Sequence, residues 1–369
     1  MAFDLSGNIM NPVPFFSRRS MAVTALAECL YFFGGVGASG KESILDVSAD
    51  LWRYNTVTQK WQEIQRVGPW PGARRCVGFV TQDDRLLLWG GSGLRGDVCG
   101  QQAYSFLNDF WRFDPAIGTW NLLEPSEDNR VTPGDPSRPP PRYTPVVQSL
   151  RGRLFLFGGY TEDRLGKRKL NDLWFWSNGN WLEVAAEEPS GYYRGARWPG
   201  IRYGSMSAGD KRSVYVCGGF SDAGDHIDVW QFDMAEPSGA WRMLSPDGPR
   251  EGPQARYCAG FALWERKLFM FGGRSRRFPK VNFNDLWIFD LETHRWEMIF
   301  DNRTPHRYDK FAEFPAYHAK SSSAVIGDHW FLWGGEGLCG HVSDFWVFDF
   351  RTLTWRLLSE ARPDDPLFW

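Results

Sequence analysis

Five arginines and one histidine hold a single recurring place in the chain. Arg18, Arg74, Arg142, Arg202, Arg256 and His318 each lie sixteen residues before a Gly-Gly pair. A guanidinium is a rigid fork of donors, so several converging on one point could clamp a carboxylate or phosphate bidentately. The regular spacing supports a second reading, in which most of these arginines pair with a loop carboxylate or carbonyl and pin the fold. Chemistry is then the better reading where the period breaks, and the sixth unit breaks it with Tyr317, His318 and Lys320. Aromatic side chains mixed with arginine have the composition of an interface hot spot. Residues 191–198 supply Tyr192, Tyr193, Arg194 and Trp198 and form the preferred single patch. Two stretches are basic, one with Arg164, Lys167, Arg168 and Lys169, the other with Arg274, Arg276, Arg277 and Lys280. Such loops can steer an acidic partner by focusing the field, although charged loops are usually just solvated.

The usual catalytic constellations are missing. No phosphate-binding loop, HExxH, GxSxG or calcium-loop pattern occurs. Two clusters have metal-ligand chemistry: Asp222, Asp225, His226 and Asp228, and Glu336, Cys339, His341 and Asp344. Each includes a residue, Asp228 or Asp344, that belongs to a repeated motif. The sequence therefore names no catalytic residue, no metal and no cofactor.

The elements that carry these residues come from self-comparison. An apolar run ending in Gly-Gly occurs six times, at Gly34, Gly90, Gly158, Gly218, Gly272 and Gly334, about 60 residues apart. Each is followed by Asp, an apolar residue and Trp, as in Asp50-Leu51-Trp52 and Asp285-Leu286-Trp287. A second tryptophan closes each unit: Trp61, Trp120, Trp181, Trp241, Trp296 and Trp355. Short apolar runs bounded by Gly, Asp or Pro read as strands, four to a unit. With 16% aromatic residues, disorder is excluded, and 39 glycines and 23 prolines suit turns better than long helices. The formal charge of −2 argues against a general grip on nucleic acid or anionic membrane. No apolar run is long enough to span a bilayer. The stretch after Arg18-Arg19 imitates a signal peptide, but it contains Glu28 and recurs inside the chain. Six scattered cysteines fit free thiols in a reducing, cytoplasmic setting.

These motifs resemble the kelch repeat over about residues 18–358, and the Asp-Leu-Trp form is closer to stand-alone kelch-domain proteins. The resemblance implies an all-β, six-bladed propeller with four-stranded antiparallel blades. The expected blades are 18–66, 67–125, 126–186, 187–246, 247–301 and 302–358, between an N-terminal segment 1–17 and a tail 359–369. The innermost strand follows the arginine, which places the arginine ring at the channel mouth beside the long second-to-third-strand loops. How the ring closes is left open, with residues 3–9 and 366–369 as candidate latches. The expected function is protein interaction, binding a peptide or loop segment at that mouth, with an acidic segment as one candidate. The resemblance implies an adaptor, scaffold or ligase substrate-receptor role, as a monomer without nucleic acid or membrane insertion. The alternative is a small-molecule enzyme, an isomerase, lyase or oxidoreductase, using the same mouth with or without a metal.

Overall fold

The computed structural model describes residues 18–37, 47–95, 103–127, 136–163, 166–185, 197–234, 239–248, 251–276, 281–301, 314–337 and 340–359. These residues form six four-stranded antiparallel sheets arranged as the blades of a propeller. Blade 3 shows the pattern, with Val146–Leu150, Arg153–Asp163, Gly166–Ser177 and Asn180–Ala185 running from the axis outward. The six innermost strands touch their neighbours around the whole circle, including Ala22–Leu26 of blade 1 against Ser322–Ile326 of blade 6. No described helix is long and apolar enough to cross a membrane.

The core lies between blades, and strand periodicity explains why. Alternate residues of a strand face opposite sides of its sheet, so each second strand feeds two seams. In blade 1, Leu30 and Phe32 pack toward Phe331, Trp333 and Phe345 of blade 6. Their neighbours Tyr31 and Phe33 pack toward Phe79, Leu88 and Trp120 of blade 2. Six such clusters fill the six seams. The second tryptophan of each unit lies in a seam, as Trp120 does against Phe113 and Phe33 at centroid distances of 5.1 and 5.8 Å. Burial of such a side chain stabilises the fold by about 2–3 kcal/mol.

The ring closes without exchange of a strand between its ends among the described residues. The Ser20 N–H donates to the Lys320 carbonyl and the Ser322 hydroxyl to the Met21 carbonyl, sealing blade 1 to blade 6 over the packed seam. The suggested latches, 3–9 and 366–369, lie outside the described residues.

Polar stitching joins each blade to the next. The second glycine of a pair donates its N–H to the carbonyl of the following blade's recurring arginine, for example Gly159 to Arg202. The first glycine sits where that carbonyl comes closest. At Gly272, with φ +70°, a Cβ would lie 2.3 Å from the His318 carbonyl oxygen. Both the positive φ and the close approach require glycine there. Gly272→Ala is expected to lower unfolding stability by about 2–4 kcal/mol, read as an earlier denaturant midpoint. A midpoint within error of wild type would contradict this account of the glycine pair.

Candidate binding mouth on the loop-rich face

The recurring arginines do not open onto the channel. Arg74, Arg142, Arg202 and Arg256 are almost fully buried, and each forms a two-pronged ion pair with the Asp of its own blade. For Arg142 and Asp172 the two contacts are 2.6 and 2.7 Å. The same Nη1 donates to the first glycine carbonyl, Gly158, and Nε donates to the Pro140 carbonyl. The aspartate also accepts the indole N–H of the tryptophan two residues on, as in Trp174 to Asp172 at 2.8 Å. Arg18 makes a looser version, with one carboxylate contact at 2.6 Å and partial exposure. Of the two readings of these arginines, the structure bears out the paired one: they form a ring of internal staples and not an open clamp, because the repeat aspartate lies within reach and takes up the fork.

His318 fills the sixth staple. Its Nε2 lies 3.1 Å from Asp344 Oδ2 and its Nδ1 lies 2.9 Å from the Gly334 carbonyl. Burial alone would depress the imidazole pKa, but the Asp344 charge and the two acceptors outweigh it and hold the pKa above its usual value. Asp344 shifts the other way: burial would raise its carboxyl, and the His318 charge and hydrogen bond bring it down. Asp344 Oδ1 lacks the hydrogen bond that a guanidinium's second prong supplies in other blades. Tyr317 is half-buried on the same loop and lines neither cavity.

Tyr192, Tyr193 and Arg194 lie outside the described residues. Trp198, the fourth member of that patch, is a packing residue: its indole N–H donates to the Asn171 carbonyl and its ring packs on Trp241. Trp70 does the same with Ala49 and Trp120, and Phe314 packs on Phe300. All three stand four residues before the recurring Arg or His, a spacing the sequence reading overlooked.

Both proposed metal clusters have their repeat aspartate committed to a staple, and Cys339 of the second lies outside the described residues. Asp228 is held by Arg202 and Trp230, and Asp344 by His318 and Trp346. His226, Asp228 and Asp247 do come together. His226 bridges Ser221, at 2.7 Å from Nε2, to Asp247, at 2.6 Å from Nδ1. That is the connectivity of a hydrolase triad, yet Ser221 is fully buried and lines neither cavity. The chain of bonds pins a hairpin.

An open site lies just beyond the staples. Two residues after each recurring Arg or His, at Ser20, Cys76, Thr144, Gly204, Cys258 and Lys320, the backbone takes φ between +52° and +65°. Five of the six N–H groups donate to the equivalent carbonyl of the preceding blade, as Cys76 does to Ser20 and Lys320 to Cys258. The left-handed turn costs about 1 kcal/mol or more at each non-glycine position, offset by this hydrogen-bonded ring. The ring separates two cavities. The one among the inner strands is about 1000 Å³ and is lined by short neutral side chains such as Thr24, Thr81, Gln148 and Ser207, with Arg151, Lys211 and Arg212 at its outer turns. The one on the loop-rich face is about 720 Å³.

The upper cavity has two unlike halves. Residues following the recurring Arg and residues following Gly-Gly meet across it, as in the Tyr143–Tyr160 and Tyr203–Phe220 bridges. Tyr143, Tyr203 and Tyr257 line it and join Phe106, Tyr160 and Phe220 in a continuous aromatic wall with neighbouring centroids 5.1–5.9 Å apart. Burial pushes the Tyr143 phenol well up and Tyr203 up to about 12, so both stay neutral donors. The charged lining is cationic: Arg19, Arg75, Arg274, Arg276 and Lys320 line the cavity among short neutral residues, and no described lining residue is acidic. Arg276 lies 4.6 Å over the Phe220 ring and donates to the Tyr257 hydroxyl. Cys258 is half-buried, and desolvation pushes its thiol up to about 12, against the thiolate form that would react.

Comparison with known proteins agrees with the six blades of this repeat. The family described as the KLHDC2/KLHL20/DRC7 Kelch-repeats domain matches residues 129–306. The chain is a kelch-repeat β-propeller. Kelch domain-containing protein 10 of Xenopus tropicalis is 25% identical to this kelch propeller over 285 residues, covering 73% of the chain and 62% of that relative. The match to the human protein of that name, also 25% identical, covers 81% of the chain and 63% of the relative. The kelch propeller thus spans less than two thirds of these relatives. Host cell factor of Drosophila melanogaster is 25% identical over 76% of the chain and 18% of its own length. A solved structure titled "Structure of YjhT" superposes with a TM-score of 0.68 at 14% identity, covering 94% of this chain and 99% of that one, and shares the fold.

The sixth staple generates a pH prediction. A group whose folded pKa is raised stabilises fully below its unfolded pKa, about 6.5 for histidine, and loses that contribution as pH rises through the folded value. The wild-type kelch propeller should lose stability from His318 as pH climbs above about 6.5 and through its raised folded value. His318→Arg, which restores the guanidinium of the other blades, should remove that loss. Equal pH slopes of the melting temperature in the two proteins would overturn this.

Proposed function

We propose that this propeller is a protein-interaction module that holds a carboxylate-bearing peptide segment in its upper cavity. The observation that carries the reading is the lining itself: five cations and three neutral tyrosines line one cavity of about 720 Å³. A carboxylate would take charge-assisted hydrogen bonds from the guanidiniums, and apolar parts of the segment would lie on the wall. The family supports the general class. Relatives include host cell factor and a leucine-zipper-like transcriptional regulator 1 homologue, both of Drosophila melanogaster. Kelch propellers of this kind mediate contacts between proteins.

The recurring arginines are the wrong residues to mutate. Replacing Arg142, Arg202 or Arg256 leaves a buried aspartate without its partner, at a cost of about 3–5 kcal/mol, so lost binding would report unfolding. Arg276 is exposed and is the better probe. Fluorescence anisotropy should compare three labelled peptides of one apolar sequence: one with a free terminal carboxylate, one amidated with an internal glutamate, and one amidated and uncharged. At least one carboxylate peptide should bind about tenfold or more tightly than the uncharged one. Arg276→Ala should weaken it about tenfold, and raised salt should weaken it further. The two charged peptides distinguish a chain terminus from an acidic side chain. Equal affinity for all three, or none for any, would overturn the reading.

A further inference from the structure

The cationic half of the mouth already holds one carboxylate, supplied by the protein. Glu336 ends the strand His329–Glu336, immediately after the sixth Gly-Gly. Its Oε2 lies 2.8 Å from Lys320 Nζ and 3.3 Å from Arg19 Nη1, and both its oxygens lie 3.1 Å from Arg274 Nη1. The three cations come from blades 6, 1 and 5, and all three line the cavity. Glu336 itself keeps about a fifth of its side chain exposed. Its backbone is fixed by a reciprocal bridge with Ala319, while the carboxylate rides on two methylenes.

The place in the repeat makes the choice of residue informative. The residue after Gly-Gly is Val36, Ser92, Tyr160, Phe220 and Arg274 in the other five blades. None of these is acidic, and none is required by the staple. A glutamate here serves the mouth and not the fold of the blade. Burial would raise its carboxyl pKa, but Lys320, Arg274 and Arg19 together bring it down to about 2, so it carries full charge throughout the neutral range.

We propose that Glu336 is an internal competitor, a tethered carboxylate that sets the threshold an acidic ligand must exceed to engage Arg19, Arg274 and Lys320. This rests on the carboxylate-binding reading of the same cavity. While Glu336 is in place, Nη1 of Arg274 donates toward it and the charge of all three cations is partly neutralised. A small anion gains little by exchanging one carboxylate for another. A ligand that also covers the aromatic wall gains contacts that Glu336 cannot make. The tethered acid thereby favours carboxylates carried on an apolar segment over free anions and purely acidic tracts.

The test uses the whole chain and a labelled pentaglutamate peptide, with an amidated pentaglutamine peptide as the neutral control. Glu336→Gln keeps the shape and one acceptor oxygen but removes the charge. It should bind pentaglutamate at least about tenfold more tightly than wild type, with a steeper salt dependence, and bind pentaglutamine no better. Glu336→Asp keeps the charge and should stay within about threefold of wild type. Thermal melting of both variants checks that the fold is retained. Unchanged or weaker pentaglutamate binding by a folded Glu336→Gln would overturn the proposal, as would equal tightening in Glu336→Asp. The two readings fail differently. If wild type binds the apolar carboxylate peptide and Glu336→Gln gains nothing for pentaglutamate, only the competitor role fails. If neither protein binds any carboxylate peptide, the binding reading falls and the competitor role with it.

Discussion

A buried arginine–aspartate pair costs several kcal/mol of desolvation per ion before its attraction counts, so it persists only where every remaining donor and acceptor is satisfied. In this propeller that condition is met by the recurring motifs acting together. In blade 3 the guanidinium of Arg142 gives two donors to Asp172, one to the Gly158 carbonyl and one to the Pro140 carbonyl. Asp172 takes a further hydrogen bond from Trp174. The backbone of Arg142 bonds in turn to Leu107 and Gly91 of the preceding blade. Arginine, Gly-Gly and Asp-x-Trp are parts of one device that fixes the loop, the sheet and the angle between blades. Three motifs repeat together because removing one leaves the other two with unpaired buried groups.

That device also decides where binding can occur. Residues committed to the staple have no capacity left for a ligand, and the work passes to their sequence neighbours. The residue after each arginine and the residue after each Gly-Gly share the staple's rigid placement without its obligations. They are free to differ from blade to blade, and they do: Arg19 and Val36 in blade 1, Tyr143 and Tyr160 in blade 3, Tyr257 and Arg274 in blade 5. A ring that is sixfold in backbone is thereby strongly asymmetric in chemistry, aromatic over blades 3 and 4 and cationic over blades 5, 6, 1 and 2.

The sequence made the fold legible for a physical reason. The staple needs fixed residue types at fixed separations, and a sixfold pattern of that kind survives inspection by eye. The mouth was legible only in outline. A cavity does lie on the face of the long loops, and Lys320 lines it. The spacing shows that the arginines recur but not which carboxylate lies within reach, so it left the open and the paired readings side by side; Asp50 beside Arg18 and Asp172 beside Arg142 decide for the paired one. Trp198 stood out as an exposed anchor because its equivalence with Trp70, four residues before an arginine, was hidden by Arg138 and Gly252 at the same position in other blades. Arg19, Arg75, Tyr143, Tyr203, Tyr257 and Glu336 could have been found by aligning the six units and reading the variable residues that flank the invariant ones.

The seam between blades 1 and 6 joins these themes. It is flanked by the two weakest staples, the partly exposed Arg18–Asp50 pair and the histidine substitute His318–Asp344, whose second carboxylate oxygen lacks the guanidinium's second prong. A propeller built from one end of the chain to the other must close by packing, and here closure is completed by Phe32 against Trp333 and Phe345. The only ion pair described between the side chains of the first and last blades is Arg19–Glu336, at the mouth. Glu336 therefore links the two blades that covalent connectivity leaves apart and holds the cations that a ligand would seek. Under the proposed exchange of Glu336 for a ligand carboxylate, that bridge would open. Of the three cations around Glu336, Arg19 alone reaches it across this seam, Lys320 lying on the same blade and Arg274 on blade 5.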